Sequence, residues 1–445
     1  GWWGVGWGVV CFVVRAEGGI RGPMPRVTGV QAGALPISAA DGTPLKKKLA
    51  QAMFRSKLRA AGLVAPLLAF VLASFIFPIF ALMWQGVHNN TFERLMPNLT
   101  EELRVWDGLS EPTEEMYTLL VADLRQNRAD KTIGRVASRV NQELAGTRSL
   151  FTSTARKAAK LEPPYRDALI KTKKKWGEIK VWQAMKLTNQ SLTPGFYATS
   201  LDAVYTVDQG FIMKEEKRQI YTKLFIRTLM ISGSVMLLCL LLGYPVAYLL
   251  ATLPLKYSNL LMIMVLLPFW TSLLVRTTAW IAILQSQGVV NDILVWVGIA
   301  ADDSRFSLIY NMTGTIIAMT HILLPFMILP LYSVMKTIPP SYMRAARSLG
   351  ATPTRAFIKV YMPQTIPGMG AGGLLVFILA IGYYITPALV GGQDGQLISN
   401  MIAYHMQKSL NWSLAAALGG ILLGGVLILY WAYDRIIGID NMKLG

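Results

Sequence analysis

Six long apolar blocks, set apart by polar segments, constrain this chain more than any other feature. They cover residues 61–84, 225–253, 260–284, 314–335, 365–387 and 413–433. A helix rises about 1.5 Å per residue, so about 20 apolar residues cross the roughly 30 Å hydrocarbon core of a bilayer. Each block reaches that length. Backbone N–H and C=O groups in lipid have no water to bond, so a single spanning segment must bond them internally as a helix. The expected fold is therefore an all-α integral membrane protein with six transmembrane helices. Composition agrees: the chain is 53% hydrophobic with a mean hydropathy of +0.41, more apolar than an ordinary soluble domain.

The first and second blocks are separated by a stretch of different character. Residues 87–222 are charged, mixed in sign and mostly free of long apolar runs. Ile133, Val136, Val140 and Leu144 recur at helical spacing there. Lys171 and Lys173 to Lys175 suit a solvated face. This segment is expected to be a mainly helical extracytoplasmic insertion between spans 1 and 2. The division expected is a tail at 1–60, a first span at 61–86, the insertion at 87–222 and a core of spans 2 to 6 at 223–445.

Charge sets the orientation. Lys46, Lys47, Lys48, Arg55, Lys57 and Arg59 precede the first block, Lys256 follows the second, and Lys336, Arg344, Arg347, Arg355 and Lys359 follow the fourth. The loops at 285–312 and 388–411 are richer in Asp and Gly. The positive-inside bias then places both termini in the cytoplasm of a multi-pass protein in a bacterial inner membrane. A net charge of +18 also suits nucleic acid, but with six apolar blocks anionic lipid is the favoured partner and nucleic acid is not expected. Cys11 and Cys239 form no disulfide framework, and His88, His321 and His405 are too scattered for a metal site. The chain opens with Gly1, and residues 1–14 are Gly/Trp-rich and too short to span. Translated upstream sequence is expected there, with the start at Met24 or Met53. No basic residue precedes the run, which disfavours a signal peptide.

The basic loop at 336–363 carries the most specific pattern. Pro339, Pro340 and Ser341 signal a helix start, and Gly350 supplies the left-handed residue that ends that helix. Thr352 caps a second helix with Pro353 at its first position, and Pro363 is expected to end it. The segment resembles the cytoplasmic "EAA" loop of the permease subunits of binding-protein-dependent ABC importers. That pattern is Glu-Ala-Ala, three residues, Gly, nine residues, then Ile-x-Leu-Pro. Ala345, Ala346, Gly350, Val360, Met362 and Pro363 fall on its spacing, while Arg344 stands at the Glu position. Residues 267–280, 382–392 and 411–417 are similar to the spermidine/putrescine-type subfamily, so the likeness covers the first span and residues 225–435.

The resemblance implies a type I importer permease fold. Residues 344–363 would form a coupling helix gripped by separate ATPase subunits, with Arg344, Ala345, Ala346, Gly350, Phe357, Tyr361 and Pro363 as its working residues. Phe357 or Tyr361 would plug an apolar slot of the ATPase. ATP and Mg would bind that partner, since this chain has no Gly-x-x-x-x-Gly-Lys-Ser/Thr loop and needs no cofactor or metal of its own. Further partners implied are a second permease subunit, the same or related, and a periplasmic solute-binding protein. The solute implied is a polyamine such as spermidine or putrescine, moved by alternating access.

For such a cation, Trp270, Trp280, Tyr383, Tyr384, Thr386 and Asp394 are the candidate pathway residues; an interfacial aromatic belt is the competing reading of the aromatics. Arg276 would repel a cation in the pathway, so a structural role is expected of it. No Asp or Glu lies inside an apolar block. Either a partner permease supplies carboxylates or the solute is another small molecule, such as an opine or an amino-sugar conjugate. Three other classes compete with this reading. An ATP-independent secondary transporter or channel predicts inverted repeats and broken helices with functional charges. A membrane enzyme needs a titratable cluster at a bilayer face. A DNA-binding helix-turn-helix at 341–363 would be held against lipid by its flanking spans.

Overall fold

A computed structural model describes residues 45–206 and 210–437. Met24 and Cys11 lie outside the described residues. Among the described residues six helices are long and apolar enough to cross a membrane: Ala60–Gln85, Tyr221–Thr252, Leu273–Trp296, Met312–Thr337, Pro353–Gly382 and Trp412–Arg435. The fold is thus mainly helical, with six candidate spans among the described residues.

The chain divides into two compact units, residues 1–82 and 83–445. In the first, α1 (Leu45–Val71) runs through a π turn (Leu72–Ile76) into α2 (Phe77–Gln85). The π turn stands directly before Pro78. A proline ring clashes with the carbonyl four residues back and has no N–H to give, and one widened turn relieves both problems without ending the helix.

In the second unit, residues 87–222 build a helical body of α3 (Thr91–Leu95), α4 (Pro97–Val105), α5 (Glu114–Ala129), α6 (Ile133–Glu143), α7 (Thr147–Lys157), α8 (Tyr165–Thr172) and α9 (Ile179–Thr188). Its core is its own. Trp176 and Trp182 are fully buried and meet edge to face, and Tyr117 and Phe151 pack edge-on against them. The polar tips are satisfied: Tyr117 Oη and Trp182 Nε1 each donate to the Trp176 carbonyl at 3.0 Å, and Trp176 Nε1 donates to Thr154 Oγ1 at 2.9 Å. Large aromatic rings with bonded polar tips suit a small core. Asp123 caps α4 by accepting from the Leu99 N–H at 3.0 Å and from Asn98.

The body returns through α10 (Gly195–Ser200) and an antiparallel hairpin of β1 (Ala203–Thr206) and β2 (Gly210–Met213), paired Ala203 to Met213 through Thr206 to Gly210. Then come α11 (Tyr221–Thr252), α12 (Leu255–Leu266), α13 (Leu273–Leu284), α14 (Val289–Trp296), α15 (Met312–Thr337), α16 (Pro340–Ser348), α17 (Pro353–Ala356), α18 (Met362–Gly382), α19 (Ile385–Val390), α20 (Ile398–Gln407) and α21 (Trp412–Ile437). The centre of the bundle is α15 between α11 and α18. Val235, Cys239, Met327, Leu331 and Val376 are fully buried there. Gly372 lets α18 approach closely: a Cβ on it would stand 2.8 Å from Met327 Sδ and 3.0 Å from the Met327 carbonyl.

The apolar block at 260–284, expected as one span, is two helices. The break falls at Leu267–Trp270, a short 3-10 turn containing Pro268, followed by Thr271 and Ser272 before α13 begins. Pro268 prevents a continuous helix, and Ser272 turns extended before α13. The spanning element is α13 with α14, Leu273–Trp296.

Contacts sort the loops to two ends. At one end the Tyr310 N–H donates to the Val390 carbonyl at 2.8 Å and Arg227 Nη1 to the Gln393 carbonyl at 2.9 Å. The insertion joins this end. Asn89 Nδ2 donates to Ser413 Oγ at 3.2 Å, and Phe196 of α10 packs with Leu414, Ala417 and Leu418 of α21. At the other end Lys336 Nζ reaches the Ala251 carbonyl at 3.5 Å.

Candidate functional site

The loop between α15 and α18 is built from two short helices joined by a left-handed turn. Pro340 opens α16, where its missing N–H costs nothing. Gly350 has φ +87° and ends the helix in the left-handed region, with open space about its Cα. Thr352 Oγ1 then accepts from the Arg355 N–H at 3.4 Å and caps α17. The helix does not stop at Pro363. It passes through a π turn, Phe357–Tyr361, straight into α18, so Pro353–Gly382 is one rod of 30 residues. As at Pro78, the π turn precedes the proline and absorbs it.

Phe357 and Tyr361 point into the molecule. Their rings stack at 5.5 Å, Tyr248 meets both edge-on at 5.4 Å, and Tyr244 meets Phe357 at 6.3 Å. Tyr361 is only 6% exposed, and Tyr244 Oη bonds Thr365 Oγ1 at 3.2 Å. They join the root of this loop to Tyr244 and Tyr248 on α11. The apolar groups that stand free are Tyr342 and Leu349, the latter 88% exposed. With exposed Ala345 they recur at i, i+3 and i+7, forming one line along α16. Arg344, Arg347 and Arg355 are exposed as well, and Ala346 is half-buried.

The other candidate residues gather near the break in the third apolar block. Arg276, one turn into α13, donates through Nη2 to the carbonyls of Pro268 and, at 3.0 Å, Thr271, and through Nε to Thr271 Oγ1 at 3.4 Å. These are carbonyls that the break in the helix leaves open to further donors. Trp280 Nε1 donates to His321 Nδ1 at 3.1 Å. Thr386, fully buried, lies 3.5 Å from Thr277 Oγ1 through its own hydroxyl.

Tyr383 and Tyr384 fill the non-helical step between α18 and α19. Their carbonyls are held by Ser399 Oγ at 2.6 Å and Asn400 Nδ2 at 2.8 Å. Trp270 is 74% exposed at the break, and Asp394 is exposed on the loop after α19. Among the described residues no hydrogen bond or ring contact joins either of them to that group. Sequence reasoning missed His321 and Thr277 as members. Their signal was a polar residue on an apolar helix, which has meaning only once the facing helix is known. His321 is the exposed residue in the middle of an otherwise covered stretch of α15.

A bundle of candidate spanning helices with a basic two-helix loop exposed at one end and a polar cluster beside a broken helix suits a membrane transport subunit. The chain belongs to the binding-protein-dependent transport system inner membrane component family, whose model matches residues 222–437. It is 35% identical over 243 residues to the spermidine/putrescine transport system permease protein PotB of Escherichia coli (strain K12), covering 54% of this chain and 86% of that protein. The inner membrane ABC transporter permease protein YdcU of the same organism is 33% identical over 227 residues, 48% of this chain and 71% of that protein. Among solved structures, the MetNI methionine ABC transporter in inward-facing form is 19% identical with a TM-score of 0.40, over 51% of this chain and 98% of that one.

Proposed function

We propose that this chain is the membrane-spanning half of an ATP-driven importer that moves a polyamine across a bacterial inner membrane by alternating access. The observation that carries the coupling is the lever: α16 and α17 stand exposed at the Lys336 end, while Phe357 and Tyr361 lock their root to Tyr248 on α11. A rigid root with an exposed tip can pass a push from a separate motor to α11 and α18. Both termini and the lever face the cytoplasm, and the insertion faces the periplasm, where a solute-binding protein would dock. ATP and Mg would be held by ATPase subunits beneath the lever, and a second permease subunit would complete the pathway.

Polyamine is the solute named for the PotB relative, which supports that choice here. The carbonyls and aromatic faces of Tyr383, Tyr384 and Trp280 suit ammonium groups. Within the six spans acidic groups are confined to Asp292 and Asp434, close to span ends, so carboxylates for a polycation would come from the second permease. The fixed charge of Arg276 favours a second reading, a solute bearing a carboxylate as well as an amine.

The test uses the full chain reconstituted with its ATPase subunit. Gly350→Asp puts a side chain at φ +87°, a strain of roughly 1–2 kcal/mol that displaces the tip of the lever. Stimulated ATP hydrolysis is expected to be lost. Unchanged assembly and hydrolysis would end the coupling reading. Competition of uptake by spermidine, putrescine and an amino-acid conjugate then separates the two solutes.

A further inference from the structure

The hairpin of β1 and β2 pairs with no third strand among the described residues, and two strands alone are marginal in water. Side chains alternate along a strand, so Phe211 and Met213 stand on one face and Ile212 on the other. Both faces are exposed: Phe211 by 60%, Ile212 by 39% and Met213 by 58%. A protein surface laid on the hairpin would cover one face and leave the other wet, whereas a fluid layer covers both. The base of the hairpin is tied to the first turn of α11. The Lys214 N–H donates to the Asp202 carbonyl at 2.8 Å, and the Thr222 N–H donates to Asp202 Oδ2 at 2.7 Å. That turn has a readable depth. Tyr221 and Leu224 pack with Phe196 of α10 and with Leu414, Ala417 and Leu418 of α21. These α21 residues follow Trp412, the first residue of its span, by roughly 3–9 Å along the helix axis. Tyr197 reaches further in, since a Cβ on Gly420 would stand 2.9 Å from its hydroxyl. A headgroup layer is about 5–8 Å thick on each side of the hydrocarbon, so the base of the hairpin stands at that layer.

We propose that this hairpin is a membrane seat: it enters the phospholipid headgroup layer edge-on, with Phe211, Ile212 and Met213 at the boundary of the acyl chains, and so anchors the returning end of the insertion. The seat depends on α11 and α21 crossing the bilayer and on neither the solute nor the coupling to a motor. Continuity of the surface favours lipid as the occupant. Ile220 and Ile226, each 53% exposed, carry the apolar surface from the hairpin onto the side of α11 that meets lipid. Charge agrees with the same depth. Lys217 and Arg218 follow β2 and are exposed, and Arg218 meets Glu215 only at 3.8 Å. Their long stems can lie along apolar surface while the charged ends reach lipid phosphates. The backbone limits how deep the hairpin goes. A two-stranded ribbon has two open edges, whose N–H and C=O groups find partners among headgroups and their water and none in hydrocarbon.

The experiment uses the full chain in nanodiscs of phosphatidylethanolamine and phosphatidylglycerol. Cys11→Ser removes one native thiol, and Cys239 is buried and silent. Ile212→Cys and Met213→Cys, each carrying an environment-sensitive fluorophore, report on the two faces of the hairpin. Lys160→Cys, exposed on the helical body, serves as the aqueous comparison. The substituted side chains are exposed, so the variants should fold; Leu201→Cys, at a position 51% exposed beside the base of the hairpin, is the further reporter should a strand variant fail. Lipid bearing a nitroxide high on its acyl chain is expected to quench positions 212 and 213 about threefold more than position 160. Aqueous iodide should show the reverse order. Strong iodide quenching at 212 and 213 without lipid quenching would put the hairpin in water and overturn the seat. Protection from both quenchers would mean that protein covers it, a second permease or another copy of this chain, and lipid would again be wrong. Lipid quenching at one of the two positions alone would mean that the hairpin lies flat, and would overturn the edge-on entry.

Discussion

His405 shows how one side chain reports the state of the end where the insertion packs. It is buried on α20, with Nε2 2.9 Å from Tyr221 Oη and Nδ1 2.9 Å from Ser409 Oγ. Burial pushes the imidazole below its ordinary value. The folded protein therefore binds this proton less readily than the unfolded chain does. Stability tied to His405 is fully present above the unfolded value near 6.5 and is lost as pH falls through that value toward the lower folded one. Thermal unfolding in detergent should show a falling midpoint between pH 7.5 and 5.5, and His405→Gln, which keeps both hydrogen bonds without titrating, should flatten that slope. An equal slope in the variant would assign the pH response to other groups. Nothing in the sequence marked His405 as a buried hinge, because its partner Tyr221 lies 184 residues away.

At the scale of elements, the six spans were legible because length and composition alone decide them. So was the turn at Gly350, where Pro, Gly and Thr act on their own neighbours. The break at Pro268 was less so. Apolar residues continue through it, and what helps hold it is local: the Thr271 N–H and hydroxyl donate to the Pro268 carbonyl, and Arg276 donates to the Pro268 and Thr271 carbonyls. The inward turn of Phe357 and Tyr361 was hidden for a different reason, since Tyr244 and Tyr248 sit on a helix more than a hundred residues earlier. The close seam between α15 and α18 yields a direct test. Gly372→Leu drives a branched side chain into the Met327 backbone, and overpacking of this kind costs about 1–3 kcal/mol or more. A Cβ on neighbouring Gly373 meets Met236 at an ordinary 3.6 Å. Gly373→Ala should hold the unfolding midpoint where Gly372→Leu lowers it, and similar midpoints for the two variants would contradict the seam.

For the whole molecule, the decisive quantity is which end faces which compartment. Contacts place the insertion with the loops around Tyr310 and Gln393, and the lever with the Lys256 end. The proposed orientation follows from the positive-inside bias: the basic loop at 336–363 would face the cytoplasm, and a long polar insertion can cross regardless of its own charge. Thiol labelling can read this assignment. Cys239 is fully buried among α11, α15 and α18, so it stays silent, and Cys11→Ser removes the other native thiol. Ser348→Cys on the lever and Lys160→Cys on the insertion then become the reporters, both at exposed positions. In intact spheroplasts a membrane-impermeant maleimide should mark position 160 and leave position 348 untouched until the membrane is opened. Protection of 348 by added ATPase subunits in opened membranes would follow from the same arrangement. The reverse labelling pattern would put the lever outside the cell, where no nucleotide-driven motor could reach it.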